Sequence, residues 1–259
     1  MARKRGSSRR RRRGSGGFLY KLLSVLLICG CLVAAVTLFF RVDTVDITGA
    51  ERYTEEEIRQ ASGVKDGDNL FLLNKYQVIR SIAEALPYVE LEHTSIQRKL
   101  PDTLLIQVQE CGDPLAWEQD GLVWLVSPGG KLVEQTDSTA GYPVIDGCRL
   151  LAPSVGTRIA LDTELETRRE SLLSLLEALE AAERLDEVNA IHLEEAGYLS
   201  MDIMDRFTVE LKYGDDYDYA LRKLDAILAS GKIQENMTGT FNMRGEDGKT
   251  NFIQNVRHG

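Results

Sequence analysis

Between Phe18 and Phe40 apolar residues follow one another with Lys21 as the single charge; beyond Arg41 they thin out and return at intervals of two, or of three and four. The unbroken run predicts one long helix over 18–40. At about 1.5 Å per residue it reaches about 34 Å, enough to cross a hydrocarbon core of about 30 Å. Lys21 falls in the first turn, where its aliphatic stem carries the ammonium to the headgroups and avoids the roughly 2.5 to 3.5 kcal/mol insertion cost of a charge at the centre of a span.

The periodic part opens with "VDTVDIT", residues 42–48, a short strand closed by Gly49. In "TEEEIRQASG" Thr54 and Glu57 stand in capping-box relation, three acids occupy the positive end of the helix, and Gly63 closes it. "NKYQVIRSIAEALP" repeats the relation with Asn74 and Gln77, then places Val78, Ile79, Ile82, Ala83 and Leu86 at helical spacing and stops before Pro87. A strand over 89–98 and another over 103–110 flank the Pro101-Asp102 turn. In the second of these, Leu104, Ile106 and Val108 share one face, expected in a core, and Leu105, Gln107 and Gln109 share the other, expected to be wet. The order is β-α-α-β-β.

Residues 111–245 read as a second unit. Strand patterns at 114–119, 121–127 and 130–134 are joined by Asp120-Gly121 and Pro128-Gly129-Gly130. A helix over 164–185 carries Leu165, Leu172, Leu176 and Leu179 on a stripe. Strands at 188–193, 198–204 and 207–213 follow, then a helix over 217–230 and a last strand over 238–244. The fold class is α+β: one N-terminal membrane helix, a β-α-α-β-β domain over 41–110, and over 111–245 a second domain with an antiparallel sheet and two helices. The tail 246–259 lacks periodicity and is expected to be disordered.

Charge decides which way the span faces. Ten of the 31 Lys and Arg lie at or before Arg41, eight of them in residues 1–17, and all 40 Asp and Glu come after it. Arg3, Lys4, Arg5 and Arg9 to Arg13 stand just before the span, so the N-terminus is expected in the cytoplasm and everything after Arg41 outside, a type II single-pass protein of the cell membrane. A cleaved signal peptide has a shorter apolar region and an exit of small residues, and this run has neither. "ICGC", residues 28–31, loosely matches a lipoprotein box at Cys31, but apolar residues continue well past it. Orientation accounts for the basic run; contact with anionic lipid is a further use of it, and the acidic body argues against nucleic acid.

Side chains able to do chemistry are sparse. His93, His192 and His258 are far apart. His192 lies close to Glu194 and Glu195 but lacks metal-ligand spacing, and reads as part of a solvated face. "SPGGKL", residues 127–132, is a turn and not a phosphate loop; Asp215-Asp216 reads as a helix cap. No catalytic residue, cofactor or metal site is assigned. Cys111 and Cys148 lie in the exported part, where the compartment allows a disulfide closing a loop of 37 residues, but two cysteines of unknown spatial proximity do not establish one.

The segments "VDTVDITGAERYTEEEI", "GVKDGDNLFLLN", "LPYVELEHTSIQRKLPDTLLIQVQE" and "PLAW", directly after a single span, resemble the POTRA domain of the cell-division proteins FtsQ and DivIB. "VWLVSPGGKLVE", "YPVIDG" and "FTVELKYGDDYDYALRKLDAIL" continue the likeness to about residue 244. The resemblance implies a non-catalytic scaffold at the division septum, binding FtsB/DivIC-like and FtsL-like bitopic partners and linking assembly of the division complex to septal peptidoglycan synthesis. In that family the end of the second domain holds the partner, which points to Thr240, Phe241, Asn242, Met243 and Arg244. A last strand after a helix is expected at a sheet edge, with Phe241 and Met243 either in the core or in a partner groove. The family's last strand often has Asp where this chain has Asn242. A POTRA-bearing translocation or assembly factor is the alternative; it would carry a membrane barrel or several POTRA copies, and neither is visible.

Overall fold

The computed structural model describes residues 16–234, 236–245 and 249–255. Helix α1 (Gly16–Phe39) is apolar on every side, and the stretch Leu19–Phe39 has the length and hydropathy of a membrane span. Leu23, Leu26, Leu27 and Leu32 all point away from the protein, which suits a helix solvated by lipid. The basic run from Arg3 to Arg13 and His258 lie outside the described residues.

Next come β1 (Thr44–Thr48), α2 (Glu55–Ser62), α3 (Lys75–Ala85), β2 (Ser95–Lys99) and β3 (Thr103–Gln107), with the three strands in the order β1-β3-β2. β1 runs parallel to β3, so the chain must cross over between them, and the two helices form most of that crossing. The expected caps are present. Thr54 and Glu57 close a reciprocal box on α2, Asn74 accepts the Gln77 amide at 3.3 Å, and Gly63 ends α2 at φ 66°. Ile47, Ile106 and Ile96 form one row beneath the helices, packed with Ile58, Val78, Ile82 and Leu104. Leu105, expected on the wet face, is only 8% exposed, because β3 is the central strand and Asp46 and Gln97 flank it on both sides. The strand expected from residue 89 begins only at Ser95. Ahead of it a turn is closed by the Thr94 hydroxyl, which donates to the Glu90 carbonyl at 2.6 Å.

The rest of the chain supplies β4 (Leu115–Gln119), β5 (Leu122–Val126), β6 (Leu132–Thr136), β7 (Val144–Asp146), α4 (Glu166–Ala181), β8 (Val188–His192), β9 (Tyr198–Ile203), β10 (Phe207–Lys212), α5 (Tyr217–Ala229), β11 (Gly239–Asn242) and β12 (Asn251–Gln254). All nine strands join one sheet in the order β12-β11-β10-β9-β8-β7-β4-β5-β6. Trp117, Ile145, Ile191, Met201, Val209, Phe241 and Phe252 are successive cross-strand partners, and this apolar row packs in one core with Leu172, Leu176 and Leu179 of α4 and Leu221 and Leu224 of α5. On the opposite face the partners Asp146, His192, Ser200, Glu210, Asn242 and Asn251 form a polar row. The architecture is α+β, as expected. The sheet, however, is mixed and not antiparallel: β4–β7, β7–β8 and β10–β11 are parallel pairs. The second and third follow from α4 and α5, since a helical crossover returns the chain in the same direction.

At the β4–β6 end the polar face gives way to Ala116, Val123, Leu125 and Val133, which bury Tyr88 of the N-terminal unit. Around this contact the Tyr88 hydroxyl donates to Glu134 at 2.7 Å and the Arg52 guanidinium lies 4.0 Å from the Tyr88 ring centre. Lys131 reaches across to the Ala83 carbonyl at 2.9 Å, in the last turn of α3. That carbonyl has no partner within its own helix, and a cation there also meets the negative end of the helix dipole.

Candidate partner-binding edge

The segment expected to be the outermost strand is not outermost. β11 pairs with β10 on one side and β12 on the other, so among the described residues the free edge belongs to β12. The tail expected to be disordered supplies that strand; residues 246–248 and 256–259 lie outside the described residues. Its local pattern is four residues, Asn-Phe-Ile-Gln, too short for a periodicity, and the one available signal was a pair of large apolar residues in an otherwise polar tail.

Phe252 explains why the strand docks. Its ring centre lies 4.8 Å from that of Phe241 and 6.2 Å from that of Phe207, and the latter two rings are 5.2 Å apart. Three offset aromatic rings of this kind contribute roughly 0.5 to 1.5 kcal/mol per pair beyond the area they bury. Gly239 allows the approach: a Cβ there would stand 2.3 Å from the Ile253 carbonyl oxygen and 2.9 Å from the Phe252 ring. Main-chain bonds continue beyond the strand, the Asn255 amide donating to the Thr238 carbonyl at 2.9 Å.

The five residues assigned from the sequence therefore divide between the two faces. Phe241 is fully buried and Met243 nearly so, both in the core beneath the helices. Thr240, Asn242 and Arg244 lie on the open face. Arg244 pairs with Glu210 at 3.1 Å, stacks 4.1 Å from the Tyr198 ring centre, and its amide donates to the Asn242 side chain at 3.2 Å. Ile253, opposite Thr240 on this face, is 58% exposed at the free edge.

Cys111 and Cys148 are free thiols. Ala116 is in register with Val144 along the parallel pair β4–β7, so Cys111 lies before the start of that pair and Cys148 beyond its end. At about 3.3 Å per residue they are on the order of 25 Å apart, against the 7 Å or less between Cα atoms that a disulfide needs. Burial pushes the Cys111 thiol up to about 11, so it stays protonated and is a poor nucleophile. His192 is held by Asp146 at 2.8 Å and by Asp202 at 3.2 Å, and not by Glu194 or Glu195. Among the described residues no group of three such side chains is spaced to hold a metal ion.

A family model for the FtsQ-type POTRA domain matches residues 40–110. The chain is a relative of the FtsQ and DivIB cell-division proteins. It is 29% identical over 203 residues to the cell division protein FtsQ of Geotalea daltonii, covering 75% of this chain and 68% of that one. Against FtsQ of Corynebacterium glutamicum the figures are 24% over 201 residues, 75% and 78%; against DivIB of Clostridium botulinum, 28% over 128 residues, about half of either chain. The apolar N-terminal helix, the FtsQ-type POTRA domain and the sheet-rich C-terminal domain follow one another along the chain.

Proposed function

We propose that this FtsQ/DivIB relative is a non-catalytic bitopic scaffold whose C-terminal domain takes a strand from an FtsB/DivIC-like partner along the outer edge of β12. The free edge of β12 carries the reading: a nine-stranded sheet ends in unpaired amides and carbonyls with Ile253 exposed beside them, the arrangement by which one chain adds a strand to another. On the open face Thr240 and Asn242 lie one strand in from that edge, beside Ile253 and Asn251, Arg244 is held toward β10 by Glu210 and the Tyr198 ring, and Phe241 and Met243 hold β11 in place from below. The partner is itself a membrane protein, with an FtsL-like protein in the same complex, and the assembly at the septum couples division to peptidoglycan synthesis. The basic N-terminal run keeps that end in the cytoplasm and both folded domains outside.

The test replaces Ile253 by a photocrosslinking residue in the full chain, with the same substitution at Tyr219 on α5 as control. Position 253 should capture a small bitopic partner and position 219 should not. Gln254→Pro, which removes an amide that faces away from β11 and leaves the Ile253–Thr240 pair and the core untouched, should keep the fold and abolish capture. A folded Gln254→Pro protein that binds at wild-type strength would remove β12 from the interface.

A further inference from the structure

Where α1 leaves the membrane, the fold presses an apolar turn against it. The Asn69 side chain donates to the Val36 carbonyl at 3.0 Å, the Leu70 amide donates to the Phe40 carbonyl at 3.0 Å, and the Phe40 and Phe71 rings meet edge to face at 5.0 Å. Val36 lies one turn inside the end of the helix. The turn is thus tied at the depth of the last helical turn, within the several ångströms of headgroup region that border the hydrocarbon.

The turn is rigid. The Asn69 side-chain oxygen accepts the amides of Phe71 and Leu72 at 2.9 and 3.2 Å, and from the sheet side the Arg98 guanidinium donates to the Leu73 carbonyl at 3.0 Å. What it displays is apolar: Phe71 is 45% and Leu72 79% exposed. A second tip lies beside the exit of the span, for the Asp102 carbonyl accepts the amide of Asp43 at 2.9 Å, and the turn it closes carries Leu100, 56% exposed. A soluble domain has no use for two apolar tips on fixed turns beside a membrane helix. A lipid surface has.

We propose that the turns 69–73 and 99–102 form a foot that rests in the headgroup layer of the bilayer crossed by α1, with Phe71, Leu72 and Leu100 in contact with lipid. The foot holds the POTRA domain at a fixed tilt, and through the joint at Tyr88 and Lys131 it sets the height of the β12 edge above the membrane. The proposal rests on α1 spanning the bilayer and is independent of which partner binds.

Trp117 and Trp124, the two tryptophans of the chain, are buried in the C-terminal domain, so an introduced tryptophan reports its own surroundings. The full chain is reconstituted in vesicles of phosphatidylcholine and phosphatidylglycerol with brominated acyl chains, as Leu72→Trp, as Leu32→Trp within α1, and as Tyr219→Trp on exposed α5. Position 72 should be blue-shifted and quenched about twofold or more relative to position 219, and less than position 32, the order that depth in the bilayer dictates. Equal quenching at 72 and 219 would overturn the proposal. So would a blue shift at 72 without quenching, which would mean that protein covers the tip, or an unquenched position 32, which would mean that α1 does not span.

Discussion

Ile82 has no exposed surface and lies in the POTRA core with Val78, Ile58 and Leu104. Ile82→Ala is expected to cost about 2 to 5 kcal/mol, combining lost transfer energy with an unfilled cavity; an unchanged melting temperature would show that the wrong helix face had been assigned. Its burial was legible from helical spacing. The partners of His192 were not, because Asp146 and Asp202 are brought to it from β7 and β9. Burial alone would lower the imidazole pKa, but the hydrogen bonds to Asp146 and Asp202 outweigh it and raise the value above 6.5. A neutral imidazole donates to one carboxylate only, whereas the protonated ring donates to both. The sign follows: the clamp contributes fully below about 6.5, and its contribution is lost as pH rises through the raised folded value. Denaturant melts of the wild type and His192→Gln should therefore differ most below about pH 6.5 and converge as pH rises through the raised folded value. A gap that widens with pH would refute the assignment.

The least legible elements were the shortest. β7 has three residues and β12 four, no more than two alternations, so nothing local distinguishes them from turn or tail. Both are strands because a neighbour recruits them: β7 fills the space between β4 and β8, and β12 is drawn in by the rings of Phe207 and Phe241. Gly239→Val tests the second case. The added side chain collides with the Ile253 carbonyl and the Phe252 ring, at a cost of about 1 to 3 kcal/mol for overpacking. Hydrogen exchange should show the amides of Ile253 and Asn255 losing protection while β9 and β10 keep theirs, and partner capture should fail with them. Retained protection at Ile253 and Asn255 would mean that the close approach at Gly239 is not what the strand requires.

At the scale of the whole molecule the joint between the two domains rests on a small apolar cluster around Tyr88 and a few polar bonds, among them that from Lys131 to the end of α3. Lys131→Met leaves the Ala83 carbonyl short of a donor and is expected to weaken the joint by about 1 to 3 kcal/mol. Calorimetry of the full chain should then resolve the POTRA transition from that of the C-terminal domain; an unsplit, unshifted transition would show that Tyr88 alone carries the contact. What the sequence by itself determined was whatever depends on neighbours within a turn or two of chain: the membrane helix, the capped helices α2 and α3, the alternation of β3, the leucine stripe of α4, and through their order the likeness to FtsQ and DivIB. The tertiary structure alone decided which strand is outermost, which carboxylates face His192, why Cys111 and Cys148 stay apart, and which apolar tips meet the end of α1. The physical reason is that strand neighbours and turn contacts are chosen by the packing of distant segments onto one sheet, and a period of two is the same for a strand at the centre as for one at the edge.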